Sequence, residues 1–170
     1  DALEGAARPR HFDGVASVVC RLFNLVQPDL AVFGSKDYQQ LLVVRRMASD
    51  LGFPLEILGA PIVREANGLA MSSRNQYLDA AQREQAAIIH ATLRWMCERV
   101  RASDMPLAEI ERKASTRLSE AGFLPDYAVL RNADDLSAPN EHVRSGLVAL
   151  LAARLGPVRL IDNMACDPAV

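Results

Sequence analysis

The chain has 170 residues, half of them hydrophobic and 24% charged, with a formal net charge of −2. That length buries a sizeable core as one domain or two small ones. The near-neutral balance gives no electrostatic footprint for nucleic acid or for an anionic membrane surface. No apolar run approaches a bilayer span and no signal-peptide pattern opens the sequence, so a cytoplasmic protein is expected. Cys20, Cys97 and Cys166 are widely spaced with no C-x-x-C pattern, and they read as reduced thiols.

In chain order, Asp1 to His11 reads as irregular, with Gly5 and Pro9 as breakers. From Phe12, the positions Val15, Val18, Val19, Leu22, Phe23 and Val26 recur at helical spacing until Pro28. Leu30 to Phe33 is a short apolar run ending at Gly34, the pattern of a buried strand. A helix is expected over 37–51, with Leu41, Val44, Met47, Ala48 and Leu51 inward and Gly52 at its end. Leu55 to Leu58 reads as a second strand, closed by Gly59 and Pro61. Strand, helix and strand with short turns make a parallel βαβ unit.

A polar loop then runs from Val63 to about Leu78. Asp79 with Gln82 resembles a capping box, and a long helix should follow to about Val100 with Ala86, Ile89, Leu93, Met96 and Val100 on one face. A further helix is expected from Pro106 to Gly122. Short apolar runs at 127–130, 147–152 and 158–161 alternate with polar turns, which reads as a small α+β unit with a mostly antiparallel sheet. The expected domain boundary lies near Val63, giving domains 1–62 and 63–170.

Two stretches carry chemistry. Gly34-Ser35-Lys36-Asp37 sits where a strand hands over to a helix, the ligand crevice of open α/β sheets. Gly34 allows close backbone approach, and the helix N-terminus favours an anion. The sequence contains only two lysines, Lys36 and Lys113. A cation at a helix start is opposed by the macrodipole, by about 0.3–1 kcal/mol at an exposed site; Lys36 reads either as a solvated surface lysine or as a ligand of a bound phosphate, which reverses that sign. Asp37 has two readings: an N-cap residue partnered by Gln40, or a carboxylate that holds ribose hydroxyls. Gln40, one turn on, offers a donor and an acceptor to a substrate.

The second stretch is Gly68-Leu69-Ala70-Met71-Ser72-Ser73-Arg74-Asn75. Adjacent hydroxyls, a guanidinium and a preceding glycine fit two readings, an ordinary polar loop before a helix or a mobile phosphate-binding loop hinged at Gly68. His11, His90 and His142 have no metal-ligand spacing, so no protein metal site is expected. His11 beside Arg8 and Arg10 reads equally as part of an anion pocket or as surface loop. Neither G-x-S-x-G nor G-x-x-x-x-G-K-[ST] occurs.

Taken together, Arg8-Pro9-Arg10-His11-Phe12-Asp13-Gly14-Val15, Arg21 to Asn24, Phe33 to Gln40, Val63-Arg64-Glu65, Gly68 to Leu78 and Arg159 to Met164 closely resemble the pantothenate synthetase (pantoate–β-alanine ligase) family. The resemblance covers essentially the whole chain. It implies the C-terminal part of a Rossmann-like nucleotidyltransferase domain, followed by a small α+β lid domain. It also implies ATP-dependent condensation of pantoate with β-alanine through a pantoyl adenylate, with ATP and Mg2+. Gly34, Ser35, Lys36, Asp37, Val63, Met71, Ser72, Ser73 and Arg74 are then expected at ATP, with Lys36 and Arg74 as the catalytic cations, and Gln40 at pantoate.

The family's N-terminal His-x-Gly-His motif does not occur in these residues. The resemblance therefore implies a C-terminal portion that is inactive in isolation and a homodimer in the full-length enzyme. Another adenylate-forming nucleotidyltransferase and a non-catalytic lid or scaffold fragment are the alternatives.

Overall fold

The computed structural model describes residues 3–167. It divides into two compact units whose boundary in the chain falls between Ile62 and Val63.

The first unit holds α1 (Glu4–Ala7), α2 (His11–Val26), β1 (Leu30–Gly34), α3 (Tyr38–Asp50) and β2 (Glu56–Ala60). The opening segment read as irregular contains the one-turn α1, whose neighbour Arg8 closes it through a backbone bond to Glu4. β1 and β2 pair in parallel, Leu30 against Glu56 through Gly34 against Ala60, as the βαβ pattern requires. Gly59 therefore lies inside β2, opposite Phe33, rather than ending it.

The core of this unit is Phe23, Val44 and Ala48, with Val15, Val19, Ala31, Phe33, Met47, Phe53, Leu55 and Ile57 packed against them. Phe23 meets Phe33 and Phe53 edge-on, at ring-centroid distances of 6.4 and 5.6 Å, the geometry that ring quadrupoles favour.

Two burial expectations, for β1 and for Leu51, are corrected here. β1 alternates exposed and half-buried residues, because Ala31 and Phe33 face the helices while Val32 is 61% exposed on the other side. The apolar stripe of α2 splits in the same way: Val15, Val19 and Phe23 pack inward, and Val18, Leu22 and Val26 are exposed. Leu51 is exposed too, since it stands at the C-cap of α3, beyond the last inward turn.

The second unit contains α4 (Ala80–Ala102), α5 (Leu107–Glu120), β3 (Leu124–Asn132), β4 (Leu147–Leu155) and β5 (Val158–Ala165). The strands form an antiparallel sheet in the order β3-β4-β5. α4 begins with the expected capping box, in which Asp79 accepts from the Gln82 N–H and the Gln82 side chain accepts from the Asp79 N–H. Its residues Ala86, Ile89, Leu93, Met96 and Val100 are all buried. They pack with Ile110, Ala114 and Leu118 of α5 and with Leu147, Ala149, Leu151 and Ala153 of β4 in one core.

The cysteine reading is also corrected. Cys97 on α4 and Cys166 after β5 are joined as a disulfide, with Cα atoms 4.5 Å apart across 69 residues of sequence. α4 packs against β5, a tertiary proximity that spacing alone does not reveal. Cys20 is a free, half-buried thiol.

Candidate functional site

In the first unit, β1 delivers the chain to a single 3-10 turn, Ser35–Asp37, that leads directly into α3. Ser35, Lys36 and Gln40 are half-buried there, and Asp37 is exposed. Gly34 has an ordinary extended backbone (φ −69°), and a Cβ on it would meet no atom within 4 Å. Its role is thus open space at the strand end, not an unusual conformation.

Asp37 occupies the N-cap position of α3, yet its side chain makes no cap hydrogen bond. That removes the capping reading of Asp37 with Gln40 and leaves the carboxylate at the surface. Support for the turn comes from a residue the sequence reading used only as a strand terminator. A Cβ on Gly59 would lie 2.8 Å from Ser35 Oγ and 2.9 Å from Leu41 Cδ2. Glycine is required in β2 so that Ser35 and α3 can seat against the sheet. Arg8 and His11 lie outside this turn, at the start of α2, where Arg8 Nη1 donates to His11 Nε2 over 3.2 Å.

In the second unit, the stretch from Val63 to Met71 is a hydrogen-bonded hairpin. Glu65 N donates to Leu69 O (2.8 Å), Gly68 N to Glu65 O (2.9 Å) and Met71 N to Val63 O (2.9 Å), with Arg64 bridging Ala70. Gly68 has φ +92° and faces the His90 ring, 2.8 Å from an added Cβ. It is a turn glycine in the left-handed region, closely approached by that ring. Asn67 Oδ1 accepts from Leu69 N, and its amide donates to Arg83 O.

The hairpin carries a run whose ends differ in exposure. Met71, Ser73 and Arg74 are exposed and Ser72 half-buried, whereas Asn75 is buried. Ser72 Oγ caps the following 3-10 turn (Ser73–Tyr77) by accepting from Arg74 N at 3.2 Å. Asn75 Nδ2 donates to Glu65 Oε1 (2.8 Å) and to Ala70 O (3.1 Å). Both partners are acceptors, which fixes the orientation of the amide. Met71, Ser72 and Ser73 line an open cleft of about 550 Å³ together with Glu65, Asn75, Gln76 and Arg83. Arg74 lines a separate, smaller cleft of about 380 Å³ with Tyr77, Pro157, Val158 and Arg159. Val63, at the foot of the hairpin, is 66% exposed.

Against this geometry, the family model described as pantoate-beta-alanine ligase matches residues 1–165. The chain belongs to that family. Pantothenate synthetases of Xanthomonas oryzae pv. oryzae (strain MAFF 311018) and Xylella fastidiosa (strain M23) are 58% and 57% identical over 164 residues. Each match covers 96% of this chain and 58% of the relative, so the chain spans little more than half the length of the curated relatives it matches. A crystal structure of pantothenate synthetase from Thermus thermophilus superposes with a TM-score of 0.89 at 47% identity, over 98% of this chain and 60% of that one. Pantoate-beta-alanine ligase from Francisella tularensis, complexed with beta-gamma ATP and beta-alanine, gives a TM-score of 0.70 at 29% identity, over 99% and 55%.

Within this ligase-family chain, several supporting residues escape sequence reasoning. Arg83 on α4 lines the same cleft as Ser72 and Ser73, and no periodicity singles it out. Arg64 donates to Asp162 of β5 through two bonds, Nη1 to Oδ2 at 2.6 Å and Nη2 to Oδ1 at 3.1 Å. The partners lie 98 residues apart, so only the fold brings them together.

His90 joins the same neighbourhood from α4. Burial, then the nearby Arg64 guanidinium, holds its imidazole below the ordinary 6.5, although Asp162 opposes the shift. A histidine whose folded pKa is depressed binds its proton more readily when unfolded. Stability therefore rises with pH across the window below 6.5, and falls as acidification protonates the unfolded state first. His90→Gln should flatten that part of the profile; thermal melts between about pH 5 and 7.5 read it directly. An unchanged slope in the variant refutes the assignment.

Proposed function

We propose that this chain is part of an ATP-dependent ligase that joins pantoate to β-alanine through a pantoyl adenylate. The observation that carries this reading is family membership over residues 1–165. In the first step a pantoate carboxylate oxygen attacks the α-phosphorus of ATP and the bond to the β-phosphate breaks, releasing pyrophosphate. In the second, the free amine of β-alanine attacks the acyl carbon, the amide forms, AMP leaves and the nitrogen loses a proton. The substrate carboxylate is the nucleophile, so no covalent side-chain nucleophile is needed. The protein's contribution is positioning, and cations aimed at the charge that develops on the phosphates.

In this reading the first unit is the nucleotide-binding part and the second a lid. Gly34, Ser35, Lys36 and Asp37 bind ATP, Lys36 at phosphate and Asp37 at ribose. The bare end of β1 and the uncapped Asp37 carboxylate support those roles. Val63, Met71, Ser72, Ser73 and Arg74 also bind the nucleotide, and the exposed hydroxyl-bearing tip lining an open cleft supports that. Gln40 binds pantoate. Lys36 and Arg74 are the catalytic cations.

Mg2+ bound with ATP takes ligands mainly from phosphate oxygens and water. Among the described residues no group of three or more His, Cys, Asp and Glu gathers. When bound, the metal supplies charge neutralisation at the phosphates. Among the described residues no helix is long and apolar enough to cross a membrane, and we place the protein in the cytoplasm as a homodimer. The test is pantoate-dependent pyrophosphate release by the protein as encoded, followed by pantothenate formation on adding β-alanine. Release with another carboxylic acid, but not with pantoate, overturns the substrate assignment.

A further inference from the structure

The exposed tip at 71–74 is held by contacts that reach across the second unit. Asp162 on β5 is 4% exposed, and a buried carboxylate is costly unless paired and hydrogen-bonded. Here it is both. Arg64 meets it with two parallel bonds, and its Oδ1 also accepts from the Asn163 N–H at 2.8 Å. The same Arg64 Nη1 donates to Gly68 O at 3.1 Å, so one guanidinium ties β5 to the turn of the hairpin. One residue on, Glu65 accepts from Asn75 at 2.8 Å. The Met71–Arg74 tip is thus fixed on its N-terminal side by the hairpin and on its C-terminal side by Asn75.

A bidentate guanidinium–carboxylate pair sets direction as well as distance. An ammonium in its place keeps the charge and loses the fork.

Building on the nucleotide role given to the tip, we propose that Asp162 and Arg64 are positioning residues for the adenylation step. They hold the Ser72–Arg74 tip in the orientation it presents to the nucleotide, without touching the nucleotide themselves. Pyrophosphate departs in the first half-reaction, so a role exerted at the β- and γ-phosphates bears most on that step.

The experiment uses the protein as encoded, with Asp162→Asn and Arg64→Lys measured side by side. Pantoate-dependent pyrophosphate release is expected to fall about 10²-fold in kcat for both, the scale of a misplaced reacting group. Conversion of supplied pantoyl adenylate and β-alanine to pantothenate, which involves no β- or γ-phosphate, is expected to fall about tenfold less than pyrophosphate release. Amide hydrogen exchange over residues 63–75 should speed up, with α5 and β3 unaltered. If both half-reactions fall together, the pair is merely structural and the proposal fails. It fails equally if Arg64→Lys behaves as wild type in release and exchange. Should Asp162→Asn not fold, Arg64→Lys alone decides by the same readings. Absence of pyrophosphate release in the wild type, by contrast, defeats the functional reading itself, and the positioning role with it.

Discussion

Replacing Lys36 with alanine is expected to lower turnover by about 10²–10³-fold, the loss typical of one preorganised electrostatic donor. Lys36 lies in the turn Ser35–Asp37 at the end of β1, immediately before α3. The positive end of the helix dipole opposes a cation there by about 0.3–1 kcal/mol when exposed, and partial burial adds desolvation. Bound phosphate reverses that balance, because its negative charge then meets the lysine and the helix N-terminus together. The variant is expected to lose the adenylation rate, and melting temperature is measured beside pyrophosphate release to separate that loss from a change in folding. Unchanged pantothenate formation by Lys36→Ala removes Lys36 from the site. A collapse of melting temperature points instead to a structural role for the turn.

The second large effect is expected at Gly68. Its φ of +92° lies where side chains are strained, and a Cβ would approach His90 Cδ2 to 2.8 Å. Strain of this kind costs about 1–3 kcal/mol, and the contact adds to it unless the ring moves. Gly68→Ala should therefore lower stability by about 2–4 kcal/mol, by the sum of strain and crowding. The two parts separate in a double-mutant cycle. Gly68→Ala with His90→Ala should recover the crowding and leave the backbone strain, a coupling on the order of 1 kcal/mol. Denaturant melts of the wild type, the two single variants and the double variant provide it. Strict additivity shows that the ring does not confine the turn.

Much of this architecture is legible from local pattern, because local chemistry decides it. α4 announces itself twice, through apolar residues one helical turn apart and through the Asp79–Gln82 box, and both hold in the structure. The parallel pairing of β1 with β2 follows from strand, helix and strand with short turns. Burial is less legible. Leu30 to Phe33 is apolar on both faces, so the pattern says buried on both. Yet covering a face is a tertiary matter, and Leu30 and Val32 remain exposed.

The candidate site divides along the same line. Motif residues such as Lys36 and Ser72 stand out because their chemistry is unusual for where they sit. Their supports do not. Gly59 looks like a strand terminator until Ser35 is seen against it. Asp162 is one polar residue beside an apolar run until Arg64 reaches it. The Cys97–Cys166 link has no local signature at all.

The two units differ sharply in what holds them. The second encloses a continuous core built on Leu93, Met96, Ile110, Leu118 and Leu151. The first closes around a small core centred on Phe23, Val44 and Ala48, and leaves Val32 and Leu58 open to water. Cooperative unfolding follows buried contact, so in this chain, which spans 58% of its relative's length, the first unit opens before the second. Any ligand that binds only the folded first unit acts on the weaker of two equilibria, and stabilises it by mass action according to its concentration relative to Kd. Occupancy thus becomes a determinant of lifetime: nucleotide held at the end of β1 would slow the first opening that exposes this chain to proteolysis.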